Sequence, residues 1–306
     1  MPRQVGKLRA WAECAAIAPP WAILRALPLE SAAKVGAAVG GLIGQLDPSN
    51  RRIGMRNLEI AFPERDPAER RRILIDAYRN YGRMTAEWVH FFEFDRDNIE
   101  RYVTYEAREH WDEAKRISAG RGILILTGHF GNFELLSLAH AIYGTPTAIV
   151  QRPNRNPVID AAVTARRVRF GNLPVPRKGA GREIIRCLRD DWMVAIPLDL
   201  DTRRGVFVDF FSLPAATNEA LARIAMASRA PVLPAFMVRE GTTTRHRIRF
   251  LPIIELERGS NREESVRVNT QRFTDRIAEM IRERPDHWNW IHRRWKTRPP
   301  GQARFY

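Results

Sequence analysis

Gly122-Ile-Leu-Ile-Leu-Thr-Gly128, followed by His129-Phe-Gly-Asn-Phe-Glu134 and the apolar stretch Leu135–Ala141, decides how this chain folds. Ile123–Leu126 is a short uninterrupted apolar run, the mark of a strand buried on both faces, and the glycine turn after it leads into a helical stretch. The turn therefore stands at the carboxyl end of a buried strand, where open α/β sheets commonly bind ligands. His129 lies in that turn. Further along, Ala148–Val150, Met193–Ile196 and Val232–Val238 repeat the buried-strand pattern, separated by helical stretches at 157–170, 181–190 and 217–229. This alternation predicts an α/β fold with a mostly parallel central sheet flanked by helices. Ile248 and Phe250, alternating with Arg247 and Arg249, add a half-exposed strand near an edge, and residues 262–284 a last amphipathic helix.

Upstream, Asp66-Pro67 supplies an N-cap and a proline at the first helical position. Ile73, Ala77, Tyr81, Met84, Trp88 and Phe91 then keep helical spacing. Residues 10–46 are apolar but interrupted by Glu13, Arg25, Glu30 and Lys34. The longest uncharged runs, Cys14–Leu24 and Val35–Leu46, fall short of the roughly 20 residues a spanning helix needs, and Pro19-Pro20 breaks the first. Neither a transmembrane span nor a cleavable signal is predicted. The reading is a pair of short helices lying in a membrane interface, with Trp11, Trp21, Arg9 and Arg25 at headgroup level. Ala32, Gly36, Gly40 and Gly44 form a small-residue stripe that suits either a membrane helix pair or a close helix contact in a soluble core.

Composition bounds the function. The chain has 306 residues, 50 Lys plus Arg against 35 Asp plus Glu, a net charge of +15, and 44% hydrophobic residues. That is globular, not disordered. Only Cys14 and Cys187 occur, which excludes a disulfide scaffold. Five of the basic residues are Lys and the other 45 Arg; the excess suits anionic partners such as phosphate, acidic protein or a membrane surface. No zinc helix, nucleophile elbow, phosphate loop or Cys-x-x-Cys pair is present, so neither a metal nor an organic cofactor is expected. No nucleic-acid motif is present either, although a non-catalytic anion-binding module is the alternative that the charge alone allows.

The turn carries the chemistry. Glu134 is placed to fold back toward His129, fixing its tautomer so that the other ring nitrogen can take a proton from an attacking alcohol, help worth about 10²–10⁴ in rate. Amides around Gly131 and Asn132, at a helix start, are candidates for an oxyanion hole worth about 10²–10³. By spacing alone, a capping Glu beside a structural His reads equally well. Cys187, on the inward side of a helix, reads as packing rather than as an acyl carrier.

The wider sequence resembles the late acyltransferases of lipid A biosynthesis, the lauroyl/myristoyl transferase family related to the glycerolipid acyltransferases. The resemblance runs over nearly the whole chain. It rests on Asn57-Leu58 with Ala61-Phe62-Pro63, on Gly128 to Glu134 with its His-x4-Glu spacing, on Gln151-Arg152-Pro153 and on Asp199-x-Asp201. Gly205–Phe211 with Pro214-Ala215 and Thr217, and Trp288-x-Trp290-x-His292-Arg293-Arg294-Trp295-Lys296-Thr297-Arg298-Pro299, complete it. It departs at Leu200, where a polar residue is usual, and at Ser212, where Gly is common.

The resemblance implies a fold like that of the glycerolipid acyltransferases, divided into an N-terminal helical, membrane-associated segment over 1–48 and an acyltransferase domain over 49–306. It implies His129 as base and Glu134 as its partner, with Arg152, Asp199 and Asp201 on the substrate side; beside it, Gly131 and Asn132 stand as the oxyanion candidates read above, and Lys178, in Arg177-Lys178-Gly179, reads as meeting an acidic headgroup or as part of a solvated loop. The implied donor is a fatty acyl thioester of acyl carrier protein, the acceptor a hydroxyl of a phosphorylated glycolipid, and the place the cytoplasmic face of the inner membrane, peripheral or monotopic. Acyl-CoA as donor, with another glycolipid or a lysophospholipid such as a phosphatidylinositol mannoside as acceptor, is the variant within the same chemistry. Trp288, Trp290 and Trp295 read either as a packed segment or as a membrane belt.

Overall fold

A computed structural model describes residues 5–151, 153–176 and 179–306. Four helices come first: α1 (Lys7–Ala26), α2 (Leu29–Leu46), α3 (Pro48–Ala61) and α4 (Pro67–Val89). The α/β part follows as β1 (Val103–Glu106), α5 (Arg108–Ser118), β2 (Ile123–Thr127), α6 (Phe133–Ile142), β3 (Thr147–Gln151), α7 (Pro157–Val168), β4 (Leu173–Pro176), α8 (Ala180–Arg189) and β5 (Met193–Pro197). Then come β6 (Val206–Phe210), β7 (Leu213–Thr217), α9 (Ala220–Ser228), β8 (Val232–Arg239), β9 (His246–Phe250) and α10 (Arg262–Glu283).

Seven strands form one sheet in the order β1-β9-β8-β2-β5-β3-β4. Every pairing is parallel except β8 with β9. Every residue of β2 and β8 is buried, as strands covered by helices on both faces require. The sheet is thus the mostly parallel one that the alternation predicts, and the two hydrophobic clusters lie on its two faces. The 217–229 stretch is shorter as a helix than expected, because its start pairs as β7 with β6. The two residues turning that hairpin, Phe211 and Ser212, both have positive φ, 53° and 60°, the conformation of a type I′ turn normally given to Asn or Gly.

Asp66 caps α4 as expected, accepting from the Glu69 amide at 2.8 Å. The break between α1 and α2 falls at Leu27-Pro28 instead of at Pro19-Pro20: α1 continues through the two prolines along an exposed stretch, where the carbonyls they leave unbonded meet solvent. No helix of the described residues is long and apolar enough to cross a membrane. The small-residue stripe is a close contact between α2 and α4. Ala32, Gly36, Gly40 and Gly44 are buried, and a Cβ at Gly36 or Gly40 would collide with the backbone at Gly82 or Tyr78. The outer faces of α1 and α2 stay open, and they carry nine of the twelve exposed large apolar side chains among the described residues. Trp11 is among them, while Trp21 packs edge-on against Trp88, 5.2 Å between ring centres.

Trp288, Trp290 and Trp295 are fully buried, so the C-terminal segment is packed in the core. Asn57 on α3 holds it, donating to the carbonyls of Trp290 at 2.6 Å and His292 at 2.7 Å, and Phe62 packs on the Trp290 ring.

Candidate active site

β2 and β5 are parallel neighbours in a register that sets Thr127 beside Pro197. Two residues past each strand end, His129 and Asp199 arrive together. The Asp199 carboxylate contacts His129 Nδ1 at 2.9 Å through Oδ1 and accepts the His129 backbone amide at 2.9 Å through Oδ2. Trp288 Nε1 donates to the same Oδ2 at 2.9 Å. The carboxylate is fully buried, whereas the His129 side chain is 24% exposed. Neutral His129 thus places its proton on Nδ1 toward the carboxylate and leaves Nε2, which has no partner among the described residues, with a free lone pair.

Burial works against charge on both groups, but the mutual attraction prevails. The Asp199 carboxyl is held low, at about 2, by His129 and by its hydrogen bonds. His129 is raised above the ordinary histidine value: burial lowers it, and the Asp199 charge and hydrogen bond, with a smaller contribution from Glu134, more than offset that.

The carboxylate on the imidazole is therefore Asp199, on the neighbouring strand, and not Glu134. Glu134 points elsewhere, held by both arms of the Arg167 guanidinium on α7, which donates from Nε to Oε2 at 3.1 Å and from a terminal nitrogen to Oε1. Arg167 also reaches Gln151 at the end of β3. These groups and His129 line a mixed polar and apolar cavity of about 480 Å³.

The turn after His129 is locked from below. Gly131 has φ +57°, its amide donates to the His287 carbonyl at 2.8 Å, and a Cβ there would strike the Met237 carbonyl. Asn132 is buried; its Oδ1 caps α6 at the Leu135 amide and its Nδ2 donates to Glu87 at 2.7 Å. The amides of His129 and Gly131 are thus already bonded, and the Asn132 side chain is structural. Gly131 and the Asn132 side chain fix the turn, while the Asn132 amide has no partner among the described residues.

Asp201 also has a structural task. Its carboxylate accepts from the Thr297 amide and hydroxyl, both at 3.0 Å, and its amide donates to His292 Nε2 at 2.9 Å. Arg152 and Lys178 lie outside the described residues.

A second, larger groove of about 550 Å³ opens between α1, α2, α4 and the C-terminal segment. Its walls are almost wholly apolar, with Ile23, Val39, Ile43, Leu74, Tyr81 and Trp290 among them. Two features tie it to the catalytic pair. Burial, and then the charge of Asp199, raise the Tyr81 phenol above its ordinary pKa. The antiparallel bridge of Phe130 with Trp288 sets Asn289, another groove residue, across from His129. Among the described residues no cluster of three or more His, Cys, Asp or Glu is gathered as for a metal. Cys187 is buried in the core, and burial raises its thiol.

Sequence reading missed the pairing of Asp199 with His129, the Arg167 clamp on Glu134 and the Trp288 contact. A signal for the first existed: His129 and Asp199 each stand three residues beyond a buried run. Only the strand order makes those runs neighbours.

Comparison with known proteins finds relatives over most of the chain. The family described as bacterial lipid A biosynthesis acyltransferase matches residues 3–297. The lipid A biosynthesis myristoyltransferase of Escherichia coli (strain K12) is 27% identical over 274 residues, 88% of this chain and 82% of that protein. The lipid A biosynthesis lauroyltransferase of the same organism is 27% identical over 296 residues, 96% of this chain and 94% of that one. Among solved structures, the 1-acyl-sn-glycerophosphate acyltransferase of Thermotoga maritima aligns over 82% of this chain and 99% of its own, with 16% identity and a TM-score of 0.38.

Proposed function

The chain belongs to the bacterial lipid A biosynthesis acyltransferase family and is an acyltransferase; from that premise we propose that it moves a fatty acyl group from an acyl carrier protein thioester directly to a hydroxyl of a phosphorylated lipid A precursor. His129 Nε2 takes the hydroxyl proton as the oxygen attacks the thioester carbon. Asp199 fixes the tautomer and steadies the imidazolium that forms. Collapse of the tetrahedral intermediate expels the thiolate, which recovers the proton, so no covalent enzyme intermediate is required.

One observation carries the reading: a carboxylate-bound imidazole with its second nitrogen free, lining a mixed polar and apolar cavity. The groove suits the acyl chain, which needs continuous apolar contact. The cavity with Arg167 and Gln151 suits the polar end of a substrate. The exposed apolar faces of α1 and α2 border the groove, and together with the +15 charge they favour a peripheral or monotopic seat on the anionic cytoplasmic face of the inner membrane. Residues 1–48 would make that contact and 49–306 the chemistry.

The test is to incubate the purified protein in detergent with acyl carrier protein thioesters of several chain lengths and a phosphorylated disaccharide lipid, then weigh the products. An acceptor heavier by one acyl group is the expected result. Transfer only to other acceptors, or only from acyl-CoA, would replace the substrate assignment.

A further inference from the structure

The acyl-transfer reaction leaves one requirement unmet. Negative charge develops on the thioester carbonyl oxygen, and the amides of His129 and Gly131 in the catalytic turn are bonded elsewhere. The Asn132 and Phe133 amides have no partner among the described residues, and a side-chain donor from another part of the fold can join them.

His292 fits that requirement. It belongs to the C-terminal tryptophan segment and is tied to the catalytic loop at two points. The loop after β5 holds both imidazoles: Asp199 grips His129, and two residues later the Asp201 amide donates to His292 Nε2 at 2.9 Å. Two residues of chain reach no more than about 7 Å. From the other side, the His292 amide bonds to the carbonyl of Asn289, the residue set across from His129 by the Phe130–Trp288 bridge. Because Nε2 accepts an N–H, it carries no proton, and the neutral ring must have its hydrogen on Nδ1. Nδ1 has no partner among the described residues, and the side chain is half-buried and open to solvent. Burial first of all keeps the ring neutral, pushing its pKa below the ordinary histidine value, and the charges of Asp199, Asp201 and His129 are all felt there. The result is a second imidazole beside the first, fixed in the opposite role: a donor that does not titrate into a base.

We propose that His292 is a catalytic residue whose Nδ1–H binds the oxyanion of the tetrahedral intermediate, while His129 Nε2 handles the proton. The new C–O bond forms as the hydroxyl proton passes to His129, and the carbonyl electron pair moves onto oxygen, where His292 meets it. The C–S bond then breaks, and the thiolate takes the proton back, leaving ester and free thiol. His292 neither gains nor loses a proton. The assignment rests on the acyl-transfer reading above.

Two variants separate this role from a merely structural one. His292→Asn keeps an N–H donor at the position of Nδ1 but loses the acceptor for the Asp201 amide. His292→Gln does the reverse, keeping an acceptor near Nε2 and losing the donor. With an acyl carrier protein thioester and lipid acceptor, His292→Gln should lower kcat by about 10²–10³, the value of one oxyanion donor, with KM little changed. His292→Asn should stay within about tenfold of the wild type. A Gln variant at wild-type kcat, or an Asn variant no better than Gln, overturns the assignment. Circular dichroism melts of both variants separate loss of a donor from loss of the fold: an Asn variant that is active though less stable than Gln supports the assignment, and a loss of kcat that follows stability overturns it. If the wild type itself transfers no acyl group, the reading beneath falls and takes this assignment with it, an outcome distinct from an active wild type with an indifferent Gln variant.

Discussion

Two buried carboxylates, Asp199 and Glu87, each meet an imidazole, and only one of the pairs leaves that imidazole open enough for the proposed role as base. Asp199 contacts His129 at 2.9 Å, and Glu87 contacts His246 at 3.3 Å while also binding Arg239. Burial alone would raise both carboxyls, yet their partners hold each at about 2. The imidazoles go opposite ways. His129 is 24% exposed, and its carboxylate raises it; His246 is fully enclosed, and burial, helped by Arg239, lowers it despite Glu87. His246 Nδ1 is buried without a partner, whereas His129 Nε2 faces open space. A carboxylate and an imidazole become a base only where the far nitrogen has somewhere to go; closed on every side, the same pair is a brace. The brace supports the base, because Asn132 caps the helix after His129 and donates to Glu87.

The contrast can be broken at several points. The largest effect is expected at His129: His129→Ala should lose about 10²–10⁴ in kcat while the variant stays folded at the assay temperature by circular dichroism, and a variant with normal turnover would remove this imidazole from the mechanism. Glu87→Ala should leave Arg239 as an uncompensated buried charge and lower the unfolding free energy by about 3–5 kcal/mol in a denaturant titration. If that variant instead kept its stability and lost only activity, the brace would be part of the chemistry. A subtler effect is in the pH profile. The base must be unprotonated, so kcat/KM should fall on the acid side through a His129 pKa lying above the ordinary histidine value. Asp199→Asn removes the main force raising that pKa, so the acid limb should move to lower pH while the maximal rate drops. The smallest change is expected from Glu134→Gln, whose charge is the weakest of the influences on His129: the limb should shift acidward less than in Asp199→Asn. A larger shift from Glu134 than from Asp199 would reverse the assignment of partners.

What the sequence disclosed follows from how local each feature is. The strand, glycine turn and helix around His129 lie within twenty residues, and period and turn chemistry suffice to read them. Asp199 lies 70 residues away in the chain, and its meeting with His129 depends on β3 and β4 passing outside β5 in the sheet. No local pattern encodes that order. Glu134, only five residues from His129, was the nearer guess, and the Arg167 fork from α7 takes it away. Some ambiguities were real in the sequence and physical in their resolution. A glycine stripe does not name its partner; the structure gives it as α4, with the backbone of Gly82 against Gly36. Tryptophans among cations read as belt or packing until their burial is known. The β6–β7 hairpin was hidden because Phe211 and Ser212 occupy a turn that usually announces itself with glycine.

The Trp288 indole that steadies Asp199 stands close to the end of the chain, and Asn57 clamps the same segment from near its beginning. The loop after β5 therefore holds Asp199 without the indole that steadies it until this distant segment docks, and setting the His129–Asp199 pair is a late step of folding instead of one that grows element by element.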